Sequence, residues 1–329
     1  MPRIARTCVL FGLLSASSSW AQDHQQVRCI QDTAIGELEQ RIDSAASHFV
    51  DALIREDSAS AFSDLSAELR QKLSSEQLAE QIHTIHQFEP ANAKVLHTYY
   101  IQAGEQRVDR VVCGINLPEP SQRVILSATN VPEQAHVLLS ADTRNNQIAF
   151  TVWVLPVNGE WRVRGFWFNV AALADQGPNR LWEQAREQSR REHRFNAALL
   201  YVAALQLMNR GPDFQMETAQ EIREEMTHVV APHEIQGPPP FTWRSKDRVW
   251  TILSAGPLAV GGKIYLMIAH EVPQIQTDGQ VDRWNKELLA YFKSHFPEYS
   301  DVFAGIVIRA HERGTNRGFG TVEELPRPR

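Results

Sequence analysis

Six short segments between residues 94 and 168 are rich in β-branched and aromatic residues and are cut apart by Gly, Pro, Asn and Asp. They follow directly on a stretch with helical periodicity. A chain that places its helices first and a run of strands after them lays helices on a sheet, the α+β class, and does not alternate strand and helix as a parallel α/β fold does. The strand segments are 94–102, 107–115, 123–129, 136–141, 148–155 and 161–168. Ahead of them Leu38, Ile42, Ala45, Ala46, Phe49, Val50, Leu53 and Ile54 recur at three- and four-residue intervals, which predicts a helix over 37–55 with one broad apolar face. Two shorter helices are expected over 59–73 and 75–88, the second opened by the capping residues Ser74 and Ser75 with Gln77 three positions after Ser74.

The first residues read as a targeting segment. Arg3 and Arg6 precede an apolar stretch from Cys8 to Leu14, then small residues and Ser19, Trp20 and Ala21, the order of a secretory signal peptide cleaved after Ala21. No apolar run reaches the ~18 residues of a membrane-spanning helix, so no transmembrane anchor is expected after cleavage. The expected location is periplasmic or extracellular. Loss of this segment, which holds two arginines and no acid, takes the formal charge from −6 to −8. That balance and a pI near 6.1 argue against a nucleic-acid-binding chain, and the mean hydropathy of −0.33 belongs to an ordinary folded protein.

With Cys8 removed, Cys29 and Cys113 remain, and an oxidising compartment permits them to pair; two unpaired thiols are the alternative. Charge shifts along the mature chain, with net values of −7 over 22–169, −3 over 170–236 and +2 over 237–329. The last shift coincides with Gly237, Pro238, Pro239 and Pro240, which cannot continue a helix or a central strand, so the main boundary is placed within 231–245. The expected division is a signal peptide (1–21), an N-terminal arm (22–34), a first domain (35–170), a helical linker (171–236) and a small α+β domain (237–329). Within the linker, Leu181, Trp182 and Ala185, then Ala197, Leu200, Tyr201, Ala204 and Leu205, predict a helical hairpin over 179–210, with a further helix over 219–229. The C-terminal part predicts strands over 248–254 and 263–272 joined by Gly261 and Gly262, a helix over 281–296, and strands over 302–310 and at Thr321, a β-β-α-β unit.

The segment Phe49-Val50-Asp51-Ala52-Leu53 leading into Leu65-Ser66-Ala67-Glu68-Leu69-Arg70, with the ending Gly159-Glu160-Trp161-Arg162-Val163-Arg164-Gly165-Phe166, resembles the NTF2-like domains of uncharacterised secreted bacterial proteins. The likeness covers about residues 35–170. It implies a cone, helices wrapped against a curved antiparallel sheet, able to hold a small ligand, an acid–base pair or a packed core. Fold alone does not choose among these.

An open cone would be lined by strand aromatics. Simple alternation puts Trp161, Val163, Gly165 and Trp167 on one face of the last strand and Arg162, Arg164, Phe166 and Phe168 on the other. The candidate ligand-binding residues are Trp167, Trp153, Tyr100 and His97. Acid–base work would draw on His83, His86, His97 or Asp109. His83 and His86 stand one helical turn apart, and Ala269-His270-Glu271 echoes Ala310-His311-Glu312, but without ligand-spacing motifs these read as a helix face and as polar strand ends, and neither a metal nor a cofactor is expected. No phosphate-binding glycine loop, Gly-x-Ser-x-Gly, His-Glu-x-x-His or Cys-x-x-Cys is present. The functional expectation is non-enzymatic binding of a small apolar ligand or an envelope protein partner, in the cone or in the groove between domains. The alternative is an isomerase or hydrolase acting through one buried titratable group.

Overall fold

The computed structural model describes residues 27–103, 109–114, 123–128 and 131–325. The targeting segment with its cleavage point lies outside the described residues.

Two five-stranded sheets organise the chain. The first is antiparallel, in the order β1 (Arg28–Gln31), β2 (Ala91–Gln102), β5 (Glu133–Asp142), β6 (Asn146–Val157) and β7 (Glu160–Leu173). One of its faces is covered by α1 (Glu37–Ile54), α2 (Ser58–Asp64), α3 (Ala67–Lys72) and α4 (Ser75–His86). Ile42, Phe49, Leu53, Leu78, Ile82 and Ile85 from the helices meet Tyr100, Val137, Leu139, Phe150, Val152 and Val163 from the strands, all buried, so this interior is packed solid.

The helix expected over 59–73 is two. Leu65 leaves the helical path to bridge Val163, the Ser66 N–H donates to the Val163 carbonyl at 2.8 Å, and the Ser66 hydroxyl accepts from the Leu69 N–H to cap α3. A capping serine and a tertiary backbone bond override the local periodicity. At α4 the Ser74 hydroxyl and the Gln77 side chain close a reciprocal capping box.

The opposite face of this sheet is covered by a small antiparallel sheet of β3 (Arg110–Cys113), β4 (Val124–Ser127) and β8 (Phe214–Met216). Tyr99, Ile101, Leu138, Ala149 and Ala171 pack there against Val111, Cys113, Val124, Leu126 and Phe214. The six segments expected to build one curved sheet are therefore shared between two, and β8 comes from the segment read as a linker. The Cys29 to Cys113 disulfide joins β1 of one sheet to β3 of the other, with Cα atoms 5.4 Å apart.

A helical hairpin, α5 (Pro178–Arg190) and α6 (Arg194–Met208), follows β7, and α7 (Thr218–Met226) follows β8. The C-terminal sheet runs β13 (Gly318–Glu324), β12 (Gly305–Glu312), β11 (Lys263–Val272), β10 (Val249–Val260), β9 (Phe241–Arg244), with β11 and β12 parallel and joined through α8 (Asp278–His295). Gly261 and Gly262 turn the β10–β11 hairpin at φ of 56° and 72°, the left-handed pair that a two-residue turn requires. Three strands escaped the sequence reading, β1 in the segment read as an arm, β8 in the segment read as a linker, and β9. β9 starts immediately after Pro240, where the proline run masks a short edge strand anchored by the fully buried Trp243. The hairpin is also more than a spacer, because Leu181, Phe195, Leu200 and Tyr201 share one core with Trp243, Ile252, Leu266, Phe292, Phe296 and Ile308.

Candidate functional site

A bulge in β7 decides which side chains meet. Trp153 pairs with Gly165 and Val154 with Val163, which leaves Arg164 as an extra residue and breaks the alternation. The face predicted to carry Trp161, Val163, Gly165 and Trp167 is therefore split. Trp161, Val163, Phe166 and Phe168 pack toward the helices, while Gly165 and Trp167 turn to the opposite side.

On that opposite side a cavity of about 120 Å³ is lined by His136, Thr151, Trp153, Gly165, Trp167 and the turn from Arg210 to Phe214 that joins α6 to β8. Asn169 of β7 ties the turn down, its Nδ2 donating to the carbonyls of Gln206 at 2.6 Å and Asn209 at 3.2 Å. Gly211 has a φ of +102°, and a Cβ there would stand 3.0 Å from Cβ and Cγ of Trp167. A bare backbone is thus required for the turn to lie against the indole. Trp167 remains 42% exposed. Trp153 stacks on His136 with ring centroids 5.6 Å apart and planes 5° from parallel, and the Arg164 guanidinium lies 5.6 Å from the Trp153 ring centre.

The polar groups here are buried and under-satisfied. His136 Nε2, Thr151 Oγ1, Trp153 Nε1 and Arg210 Nε have no hydrogen-bond partner among the described residues, nor do the amide atoms of Gln134, two positions from His136 on the same side of β5. His136 is 1% exposed, and burial pushes its pKa down to about 4 against the opposing hydrogen bond of the Ser127 backbone, so it is neutral at pH 7. Arg210 is 7% exposed. Burial pushes its guanidinium down to about 10, which leaves it charged at pH 7. Its Nη1 donates to the carbonyls of Leu207 at 2.5 Å and Asn209 at 3.2 Å, and no carboxylate among the described residues pairs with it within 4.0 Å.

The structure brings together two of the four candidate ligand-binding residues, Trp153 and Trp167. Tyr100 is buried on the helix side of the sheet with its ring edge on Trp161, and its hydroxyl accepts from Gln102 at 3.2 Å. His97 lies on β2 with Nδ1 3.1 Å from Asp32. His136, Thr151 and Arg210 were missed. The signal for His136 was a set of polar residues on one side of a strand whose middle is otherwise apolar, Gln134, His136 and Ser140, broken at Leu138; for Arg210 no sequence pattern exists.

A second, open hollow of about 700 Å³ lies beside α1 and the β6–β7 turn, lined by Arg41, Ser44, His48, Asp64, Trp161 and Arg162 among others. His48 Nδ1 stands 2.7 Å from Asp64. Elsewhere His86 is 3.7 Å from Glu56, and buried His270 engages Asn285 at 2.7 Å while Asn285 donates to Ile308, Phe319 and Thr321, a set that ties α8 to the sheet. His311 sits opposite Glu271, and His270 opposite Ala310, across the parallel β11–β12 pair. Among the described residues no group of three or more His, Cys, Asp or Glu side chains is placed to hold a metal. Compared with family models and with curated proteins, the chain matches none.

Proposed function

We propose that this is a secreted, non-enzymatic binding protein built on an NTF2-like N-terminal domain, and that its small ligand seats between Trp153 and Trp167 on the face of the sheet turned away from α1 to α4. The observation that carries this reading is the cavity of about 120 Å³ walled by those two indoles and the 210–214 turn. Aromatic faces hold an apolar ligand with little rotamer entropy to lose. Between the helices and the sheet the interior is filled by buried aliphatic and aromatic side chains, and the hollow beside α1 lies at its open edge. Secretion is supported by the basic, apolar, small-residue order of the first 21 residues and by the Cys29 to Cys113 disulfide. Among the described residues no helix is long and apolar enough to cross a membrane.

The rival, a hydrolase or isomerase acting through one buried titratable group, would use His136 in this same cavity, which burial makes a weak base with a pKa of about 4; a second acid–base candidate is the pair His48 and Asp64 beside the open hollow. His48 is 58% exposed, which denies it the water-excluded setting in which a single acid–base group is effective. Native mass spectrometry of protein isolated from its own envelope separates the two readings. The expected result is a retained small mass that is lost in a folded Trp167→Ala variant and kept in His48→Ala. Retention of the same mass in Trp167→Ala overturns the proposal.

A further inference from the structure

We propose that the ligand is a small monocarboxylate, its carboxylate held by the Arg210 Nε and its apolar stem between Trp153 and Trp167; this rests on the binding role proposed for the same cavity. Four residues lining one cavity each contribute a buried polar atom with no partner among the described residues, whereas buried polar atoms in native structures are almost always satisfied. Water can complete hydrogen bonds at Thr151 and Trp153. It cannot neutralise Arg210, whose charge is buried and unpaired among the described residues, and a buried charge calls for an opposite one.

The donors and charges restrict the anion. Arg210 Nη1 is already committed to two backbone carbonyls, so donation to a ligand falls to the rest of the guanidinium, foremost the buried Nε–H that has no partner among the described residues, with the Trp153 indole N–H and the Thr151 hydroxyl as further donors lining the same cavity. His136 is neutral and adds no second positive charge. The Arg164 guanidinium near Trp153 is engaged by Glu68. Asp213 lines the same cavity, so each negative charge on the ligand meets a like charge there, and a monoanion meets less of this repulsion than a dianion. Volume points the same way. A cavity of about 120 Å³ is smaller than the roughly 150 Å³ that accepts benzene, which suits a carboxylate on a stem of a few carbons. The carboxylate can belong to a free short-chain acid or to the C-terminus of a peptide.

Isothermal titration calorimetry of the full mature chain tests this with butyrate, the neutral isostere butyramide, inorganic phosphate and N-acetyl-alanyl-alanine. At least one carboxylate is expected to bind, with butyramide and phosphate at least tenfold weaker. Tighter binding of the peptide assigns the carboxylate to a peptide C-terminus, and tighter binding of butyrate assigns it to a free acid. Arg210→Gln should abolish binding. Should that variant not fold, Thr151→Val should weaken butyrate more than tenfold without changing the affinity ratio of butyrate to phosphate. Equal affinity for butyrate and butyramide, or tighter binding of phosphate, overturns the inference. A neutral mass retained by the wild type and lost in Trp167→Ala overturns the carboxylate alone; a retained mass indifferent to Trp167→Ala overturns the binding reading itself.

Discussion

At the scale of single residues the candidate site is held by backbone and burial more than by side-chain pairing. Gly211 is the plainest case. Its left-handed φ and the 3.0 Å approach of Trp167 act together, so Gly211→Ala is expected to lower stability by about 2 kcal/mol and to push the turn off the indole. Urea unfolding measures the first effect and acrylamide quenching of tryptophan fluorescence the second. His136 makes a pH prediction whose sign follows from burial. Its folded pKa of about 4 lies below the ordinary 6.5, so between those values the unfolded chain binds a proton that the folded chain refuses. Its contribution to stability is complete above about pH 6.5, declines as the pH falls and levels off below about pH 4, a change of about 3 kcal/mol. The difference in urea midpoint between wild type and His136→Asn, followed from pH 7 to 4, should narrow over that window; a constant difference would show that His136 takes up its proton at the same pH folded as unfolded.

At the scale of elements the telling events are a broken helix, a bulged strand and a borrowed one. Ser66→Ala removes the cap of α3 but leaves its backbone bond to Val163, so a loss of about 1 kcal/mol in thermal or urea unfolding is expected. The disulfide acts between elements. It joins the edge strand β1 to β3 of the covering sheet across 84 residues, and in the chain-entropy view a loop of that length stabilises by about 4 kcal/mol. A Cys29→Ser, Cys113→Ser double variant should lose up to that amount, with hydrogen exchange rising first in β1 and β3, since each is a short strand of four residues. Unchanged exchange in both strands would mean that the loop between them is already ordered by other contacts. The position of the helix 37–55, the capping box at Ser74 and the Gly261-Gly262 turn were all legible, because each rests on residues within one or two turns of chain. The bulge at Arg164 was not legible, because it is set by pairing with β6, and it moved Trp167 to the opposite side of the sheet from Trp161.

For the whole molecule the boundary near residues 237–240 and the packing of the helical hairpin must be considered together. The proline run is exposed, with a short β9 after it, yet α5 and α6 share their core with the C-terminal sheet. A broad-specificity protease is expected to nick the chain within 236–240, giving two fragments on a denaturing gel that still elute together on native gel filtration. Separation of the fragments would mean that the core shared by the helical hairpin and the C-terminal sheet, with Phe195 stacked on Phe296 and edge-on to Phe292, is too weak to hold a nicked chain. The same sharing explains why the segment between 171 and 236 reads as a linker from its sequence. A helical apolar face announces that it is buried, not what buries it.

Local order was determined by the sequence itself, through periodicity, caps and turns that act over a few residues: helices α1 and α4, most strands, the hairpin at Gly261 and the pairing potential of Cys29 and Cys113. The tertiary structure alone decided the division of the strands between two sheets, the source of β8, and the meeting of His136, Thr151, Trp153 and Trp167 with Arg210. Those residues lie on four separate segments of the chain, and an unpaired buried charge exists only once packing has removed water from around it.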